Sequence, residues 1–196
     1  MASNKEIREY FENIEKKLEK SLKKGRFRHT LGVAYISVGL AMRYGEDIVK
    51  AQTAGLLHDV AKGMDEKALL KAAKDYGIRL SDFEKENPFI IHGPVGAYVA
   101  KKEFGIDDQD IFNAIYNHTT GREDMSLLEK IVFVADYIEP MRCEAENLEE
   151  IRKMAFENID SCVLKILEDT LAYLEKSGSP IDEKTNRCAK WYRMNS

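Results

Sequence analysis

The chain has 196 residues, of which 44% are hydrophobic and 33% are charged, an ordinary balance for a helical domain with a real core. The net charge of −4 offers no basic footprint for nucleic acid, and the longest apolar runs are too short to span a bilayer. The N-terminus lacks an apolar signal-peptide core, and the three cysteines form no CxxC pair. We therefore expect a cytoplasmic protein with neither a nucleic-acid nor a membrane partner.

Apolar residues recur at helical spacing nearly throughout the chain, with no alternating strand pattern and no internal repeat. The first apolar stripe, from Ile7 to Leu22, predicts an amphipathic helix that ends at Gly25. Further along, Ser126 and Glu129 form the pattern of a capping box at a helix start. The helices predicted after the first cover residues 27–44, 46–62, 65–76, 94–104, 108–118, 127–139 and 148–176, the last as one long helix or a pair.

These elements predict an all-α fold, a helical bundle with an added C-terminal helix and tail. We expect residues 1–24 to form an amphipathic helix packed on the domain, and residues 25–142 to form the core that carries the site. Residues 143–196 would complete the same domain with a C-terminal helix and a polar tail after the sequence SGSP. The low content of chain breakers, four prolines and twelve glycines, agrees with one continuous helical domain.

The stretch GLLHDVAKG, residues 55–63, places His58 and Asp59 side by side in a segment that otherwise has the pattern of a buried helix. A carboxylate left unpaired in an apolar interior is costly, so it normally neutralises, pairs or binds a metal. Asp136 lies among the apolar residues of KIVFVADYIEP, and His29 lies at the start of a predicted helix. Two imidazoles and two carboxylates make a mixed nitrogen and oxygen donor set, which suits iron, manganese, zinc or magnesium.

The remaining two histidines, His92 and His118, also lie near predicted helix ends beside small or apolar residues. A single helical histidine is more often a core or surface residue than a ligand, and a single helical aspartate often bonds to backbone. All four histidines share the same setting, however, and this favours a common site.

Five segments carry a closer resemblance: GRFRHTLGV (25–33), AGLLHDVAKG (54–63), IIHGPVGAY (90–98), NHTTGREDMSLLEKIVFVADYIEPMR (117–142) and SPID (179–182). The order H…HD…D on an all-α chain resembles the HD-domain metal-dependent phosphohydrolases. The five segments are similar to the bacterial YqeK-type symmetrical bis(5′-nucleosyl)-tetraphosphatases, and the resemblance covers about residues 20–185. The long block 117–142 is the specific part of this resemblance, since an HD pair occurs in many chains.

The resemblance implies a hydrolase that binds iron and cleaves diadenosine tetraphosphate, or a related dinucleoside tetraphosphate, symmetrically; the adenine compound would release two ADP. Manganese, zinc and magnesium are the alternative cofactors, and a second ion is left open. At matching positions the metal ligands would be His29, His58, Asp59 and Asp136. The nucleotide and phosphate contacts would come from Arg26, His29, His92, His118, Asp136 and Arg142, with the tail after Pro180 helping to enclose the nucleotide.

Asp59 and Lys62 are the candidate catalytic residues. Asp59 would hold or deprotonate the attacking water, or act only as a ligand. Lys62 would neutralise a phosphate oxygen in the transition state, and its alternative is a solvated lysine at a helix end. His92 and His118 would either contact phosphate and protonate the departing ADP, or ligate a second metal.

Two other functions fit the same residues. One is an HD-domain phosphohydrolase of another nucleotide, such as a 5′-nucleotidase or a cyclic-nucleotide phosphodiesterase; the other is a regulatory module that binds a nucleotide without turning it over. Tyr137 could stack on a base, although aromatic residues at helical spacing are mostly core. Both a monomer and a homodimer fit the sequence.

Overall fold

The structure is a computed structural model that describes residues 3–143, 145 and 147–195. Over these residues the chain forms α-helices and one 3-10 turn and no strand, so the predicted all-α class is confirmed. The elements are α1 (Asn4–Ser21), α2 (Lys24–Tyr44), α3 (Ile48–Leu57), α4 (Glu66–Asp75), α5 (Asp82–Glu86), the 3-10 turn (Pro88–Ile91), α6 (His92–Phe104), α7 (Gln109–Asn117), α8 (Leu127–Ile138), α9 (Leu148–Glu157), α10 (Ile159–Ser177) and α11 (Glu183–Asn195).

Helix α8 forms the centre of the fold and packs against α2, α3, α7, α9 and α10. It is apolar on nearly every side, as a helix surrounded by others must be. The predicted capping box at its start is present, because the Ser126 hydroxyl accepts from the Glu129 amide while the Glu129 carboxylate accepts from the Ser126 amide. One end of α8 is thus fixed, and the other carries Asp136.

Helices α2 and α3 pack closely enough that Gly55 is required at their contact. A Cβ atom added there would lie 2.8 Å from the Cα of Ala34, which is shorter than real Cβ contacts. The missing side chain lets the two backbones approach, as glycine does wherever helices touch through their main chains. This approach brings His29 on α2 towards His58 at the end of α3.

The C-terminal ends of two predicted helices differ from the structure by more than one residue. The first helix ends at Ser21 without a glycine, since Leu22 is already extended (φ −99°, ψ 147°), and Gly25 lies in the first turn of α2. The third helix ends at Leu57 and not at Lys62. The chain from Leu57 to Met64 instead makes i→i+3 bonds, such as Lys62 N–H to the Asp59 carbonyl at 2.9 Å. The HD pair therefore lies at a helix end and in a tight turn.

The C-terminal part was only partly predicted. The segment 148–176 is a pair of helices, broken at Asn158, whose extended backbone and side-chain oxygen cap α10. The predicted polar tail contains the helix α11, which buries Cys188, Ala189 and Tyr192. The short helix α5 likewise lies between the helices predicted at 65–76 and 94–104, where no helix was predicted.

The amphipathic helix α1 buries Phe11, Ile14 and Leu18 in the same apolar core as α2 and α8. In the part of the chain that the structure describes, no helix has the length and apolar character needed to cross a membrane.

Candidate active site

The histidines and aspartates selected from the sequence meet at one place, where the ends of several helices converge. His58 caps α3, His118 caps α7, and His92 opens α6 after the 3-10 turn. Helix ends leave backbone groups unpaired, so they accommodate polar side chains better than helix middles do. The converging side chains are His29, His58, Asp59, His92, His118 and Asp136.

The four predicted metal ligands lie at distances from one another that suit a shared ion. The Nε2 atom of His29 is 3.0 Å from Oδ1 of Asp136 and 3.8 Å from Oδ2 of Asp59. The Nε2 atom of His58 is 3.4 Å from Oδ2 of Asp59 and 3.9 Å from Oδ1 of Asp136. Donors that each lie about 2.1 Å from one cation are separated from one another by about 3–4 Å, so little rearrangement is needed.

The hydrogen bonds of the rings support this assignment. The Nδ1 atom of His58 lies 2.7 Å from the Gly55 carbonyl, which can only accept, so Nδ1 carries the proton and Nε2 keeps a lone pair. That Nε2 is buried and has no hydrogen-bond partner among the described residues, and the same is true of Nε2 of His29. A buried nitrogen with an unused lone pair is what a metal ligand requires, and the cluster fits a divalent cation.

His92 and His118 also donate a hydrogen bond from Nδ1 to a backbone carbonyl, as His58 does. The acceptors are the carbonyls of Phe89 and Ile115, at 2.6 and 2.8 Å. Their Nε2 atoms are only 3.1 Å apart, and lie 3.2 and 3.6 Å from Oδ1 of Asp59. Two lone pairs that face each other across 3.1 Å attract a cation or a proton between them. Asp59, His92 and His118 thus form a second group of possible metal ligands that shares Asp59 with the first.

The charge states of the two carboxylates and of His92 match metal ligation. Burial opposes protonation of His58, but the negative charge of Asp59 raises its pKa, so a cation would have to displace a proton there. Burial opposes the ionisation of Asp59, but the neighbouring imidazoles, led by His58, hold the pKa of its carboxyl well below the usual range. Burial also opposes the ionisation of Asp136, whose pKa is nevertheless lowered by the adjacent His29. Burial lowers the pKa of His92 to about 4. At neutral pH both carboxylates are charged and His92 is neutral, as ligands should be.

The predicted phosphate-binding side chains border this cluster. Arg26 donates to Oδ2 of Asp59 at 2.7 Å, and Arg142 lies 3.4 Å from Oδ1 of Asp136. The ammonium of Lys62 lies 3.1 Å from Nε2 of His92 and 3.3 Å from its Nδ1, so it contacts both nitrogens of that ring. Lys62 is therefore directed at the cluster, even though it lies in the turn after α3 and not on the predicted helix face.

A cleft of about 870 Å³ opens from the cluster and runs between α8 and α10. Asp136, His118 and Arg142 line it at the end near the cluster. The rest of its wall combines apolar and aromatic residues with polar ones. The first group includes Phe133, Tyr137, Ile166, Leu167 and Tyr173, and the second includes Asp169, Thr170 and Lys176. Thr185 of α11 also lines it, so the C-terminal segment reaches the cleft. Ligand pockets in proteins commonly combine such an apolar wall with a few polar groups.

Two polar residues at the cluster were missed from the sequence. The hydroxyl of Thr119 lies 3.2 Å from Nε2 of both His92 and His118. The carboxylate of Glu139 contacts the outer nitrogen of His29 at 3.1 Å. The sequence does contain a sign of Glu139, since a glutamate that ends an apolar helix one turn after Asp136 is unusual. Its partner, His29, is 110 residues away in the sequence, so the contact itself could not be predicted.

An all-α fold that holds an H…HD…D cluster at the ends of its helices defines an HD-domain protein, and the HD domain family matches residues 26–141. A symmetrical bis(5′-nucleosyl)-tetraphosphatase of Bacillus subtilis is 36% identical over 176 residues, which are 89% of this chain and 92% of the relative. One of Staphylococcus aureus is 35% identical over 92% of this chain and 94% of its own length. The chain therefore belongs to the HD-domain symmetrical bis(5′-nucleosyl)-tetraphosphatases, as the resemblance implied.

The fold also matches a solved structure over the full length of both chains. This is the crystal structure of a predicted HD superfamily hydrolase involved in NAD metabolism from Clostridium acetobutylicum, with a TM-score of 0.89 and 37% sequence identity.

Proposed function

We propose that the protein hydrolyses dinucleoside tetraphosphates, diadenosine tetraphosphate among them, symmetrically into two nucleoside diphosphates. The observation that carries this proposal is the complete donor cluster at one end of a cleft of about 870 Å³, on a chain that aligns with the symmetrical tetraphosphatases over most of its length. The cleft falls within the range of about 300–1,000 Å³ usual for small-molecule sites.

The proposed metal ligands are His29, His58, Asp59 and Asp136. Iron is the proposed ion, and manganese, zinc and magnesium are the alternatives that the same donors accept. A cation held there would supply Lewis acidity, which polarises a phosphoryl oxygen and makes water a better nucleophile at neutral pH. Asp59 also faces the second histidine pair, so it is the proposed residue to orient the attacking water. Its lowered pKa makes it a poor acceptor of the proton of that water.

Two arginines are proposed to hold the phosphate chain. Each guanidinium has five N–H donors, and the contacts of Arg26 with Asp59 and of Arg142 with Asp136 use few of them. The remaining donors can bind phosphate oxygens in the bidentate manner that guanidinium groups favour. Lys62 would add a third positive charge near the bond that breaks.

The proposed roles of His92 and His118 depend on which ring nitrogen carries the proton. Because Nδ1 of each ring donates to a backbone carbonyl, each neutral ring has only a lone pair at Nε2 and cannot donate to phosphate from that atom. Their close Nε2 atoms favour the alternative of a second cation shared through Asp59.

The nucleoside of the bound half is proposed to lie along the apolar part of the cleft. Tyr137 is partly buried beside the cluster, and the Arg142 guanidinium lies 5.5 Å from the centre of its ring. Stacking on Tyr137 would place a base next to the phosphate-binding arginine, and hydroxide attack at the β-phosphorus would then release the other nucleoside diphosphate.

The test is anaerobic incubation of the purified protein with diadenosine tetraphosphate, with and without Fe²⁺ or Mn²⁺, and chromatography of the products. We expect ADP as the sole nucleotide product, and only with metal. AMP together with ATP would contradict symmetrical cleavage. Tight binding without turnover under any metal would indicate the regulatory module, and hydrolysis of a 5′-nucleotide or cyclic nucleotide alone would indicate the other phosphohydrolase.

A further inference from the structure

Glu139 is a buried carboxylate beside the cluster that the proposed chemistry does not use. Its residue is 2% exposed, and it ends α8 one turn after Asp136. A carboxylate in such a place needs partners for both oxygens, because an unpaired buried charge is strongly destabilising.

Both oxygens of Glu139 have defined partners. Oε1 lies 3.1 Å from Nδ1 of His29, and Oε2 accepts from the Met141 amide at 2.7 Å. Since a carboxylate can only accept, Nδ1 of His29 must be the donor. In the neutral ring Nε2, which makes no hydrogen bond with the described residues, then keeps a lone pair 3.0 Å from Oδ1 of Asp136. Glu139 therefore sets which nitrogen of His29 is available to a metal.

His29 differs from the other three histidines in this respect. His58, His92 and His118 each donate from Nδ1 to the carbonyl three residues earlier, which is possible because each stands at a helix end or start. His29 lies inside α2, where the preceding carbonyls take part in the helix, so it needs an acceptor from another helix. That acceptor is charged, and a charge-assisted bond is stronger than one to a carbonyl.

The surroundings of Glu139 hold it in position. Gly32, one turn after His29, leaves the space that the carboxylate occupies, since a Cβ there would lie 2.7 Å from Oε2. Arg152 on α9 donates to the carbonyls of Ile138 and Glu139, each at 3.0 Å, and so fixes the end of α8.

We propose that Glu139 is a positioning residue that orients the His29 imidazole, fixes its tautomer and strengthens it as a metal ligand. The proposal rests on the metal site of the proposed function. Residues that hydrogen-bond the outer nitrogen of a metal-binding histidine contribute about 10–100-fold to metal affinity in other proteins.

The test is titration of the metal-free protein with Co²⁺, whose visible absorption reports both affinity and ligand geometry, without any nucleotide. We expect Glu139→Gln to weaken Co²⁺ binding by about 10–100-fold and to change the absorption spectrum. The glutamine has one acceptor oxygen for two donors, so either His29 or the Met141 amide loses its partner.

Glu129→Gln is the matched control. Glu129 is on the same helix, is 1% exposed and is held by Arg122 and Asn117, but it does not contact the metal-ligand histidines. We expect this variant to lose thermal stability while its Co²⁺ affinity stays unchanged. Equal affinity of wild type and a folded Glu139→Gln protein would overturn the proposal, and so would equal weakening in both variants.

Gly32→Ala keeps the carboxylate but displaces it, and provides a second measurement if Glu139→Gln does not fold. We expect weaker Co²⁺ binding here too, and unchanged affinity in both folded variants would contradict the role of Glu139. No Co²⁺ binding by the wild type would remove the metal site on which the proposal rests. Tight Co²⁺ binding without hydrolysis of dinucleoside tetraphosphates would contradict only the proposed function.

Discussion

Asp59 is the residue at which the two halves of the cluster meet. Oδ2 receives Arg26 and faces His58, while Oδ1 faces His92 and His118. Two groups of possible metal ligands share Asp59, and a third group, formed by His58, His118 and Asp136, also joins the two halves. Each of its oxygens can therefore serve a different half of the site.

Replacement of Asp59 by asparagine removes this shared charge while keeping the size of the side chain. We expect Asp59→Asn to lower kcat by more than about 100-fold, because a metal ligand is lost as well as the group proposed to orient water. Steady-state hydrolysis of diadenosine tetraphosphate measures this. As a control, Asp75→Asn changes an exposed aspartate on α4 and should leave kcat unaltered. A folded Asp59→Asn enzyme with near-normal turnover would contradict the assignment.

At the residue scale, the structure brings together the histidines and aspartates that the sequence singled out, because buried histidines and aspartates are rare enough to stand out. It did not predict the supporting contacts of Glu139 and Thr119. Those contacts depend on which helix ends meet in space, and a residue separated by 110 positions from its partner leaves no local pattern. The role of Lys62 was predicted from a helix face that does not exist, yet its ammonium still reaches His92.

At the scale of elements, the contact of α2 with α3 sets the distance between His29 and His58, whose ring centres lie 5.4 Å apart.

The ends of the helices were harder to predict from the sequence than the helices themselves. The apolar pattern continues through Val60 and Ala61, so nothing in the spacing marks the end of α3 at Leu57. The turn there is stabilised by i→i+3 bonds and by the His58 ring on the Gly55 carbonyl.

Gly55→Ala tests the contact of these two helices. The added Cβ would press on the Ala34 backbone, so α2 and α3 must separate, and we expect a loss of about 1–3 kcal/mol in the free energy of unfolding. Urea denaturation of the metal-free protein measures it. The control is Gly25→Ala in the first turn of α2, where the added Cβ meets nothing within 4 Å. That substitution should raise the free energy of unfolding by no more than about 1 kcal/mol. Equal stability of the two variants would argue against a tight contact.

At the scale of the whole molecule, the donor cluster links α2, α3, α6, α7 and α8, so an ion bound there ties together elements that are distant in sequence. The overall all-α organisation was predictable from apolar periodicity. Helix α11 was not, because most of its positions are polar and its few buried hydrophobic residues, Cys188, Ala189 and Tyr192, give a weak stripe.

Removal of the metal should therefore destabilise the entire fold. A ligand that binds only the native state contributes about 2.7 kcal/mol when its free concentration is 100 times Kd. For a chain of this length that corresponds to a rise in Tm of about 5–11 °C. Thermal unfolding of metal-free protein with and without added Mn²⁺ measures the shift. A protein with Asp136→Asn should show a much smaller shift, and no shift in the wild type would count against a structural link through the metal.

The cleft draws its two walls from different parts of the chain. The donor cluster and α8 lie within the HD domain, residues 26–141, whereas Ile166, Leu167 and Tyr173 come from α10, beyond it. Ile166 and Leu167 are also buried in the core that packs on α8, whereas Tyr173 is exposed, so only the exposed cleft positions of α10 can change without disturbing the donor cluster. Differences in which nucleotide is accepted should accumulate at such positions, and exchanging those side chains between relatives is a direct route to engineered selectivity.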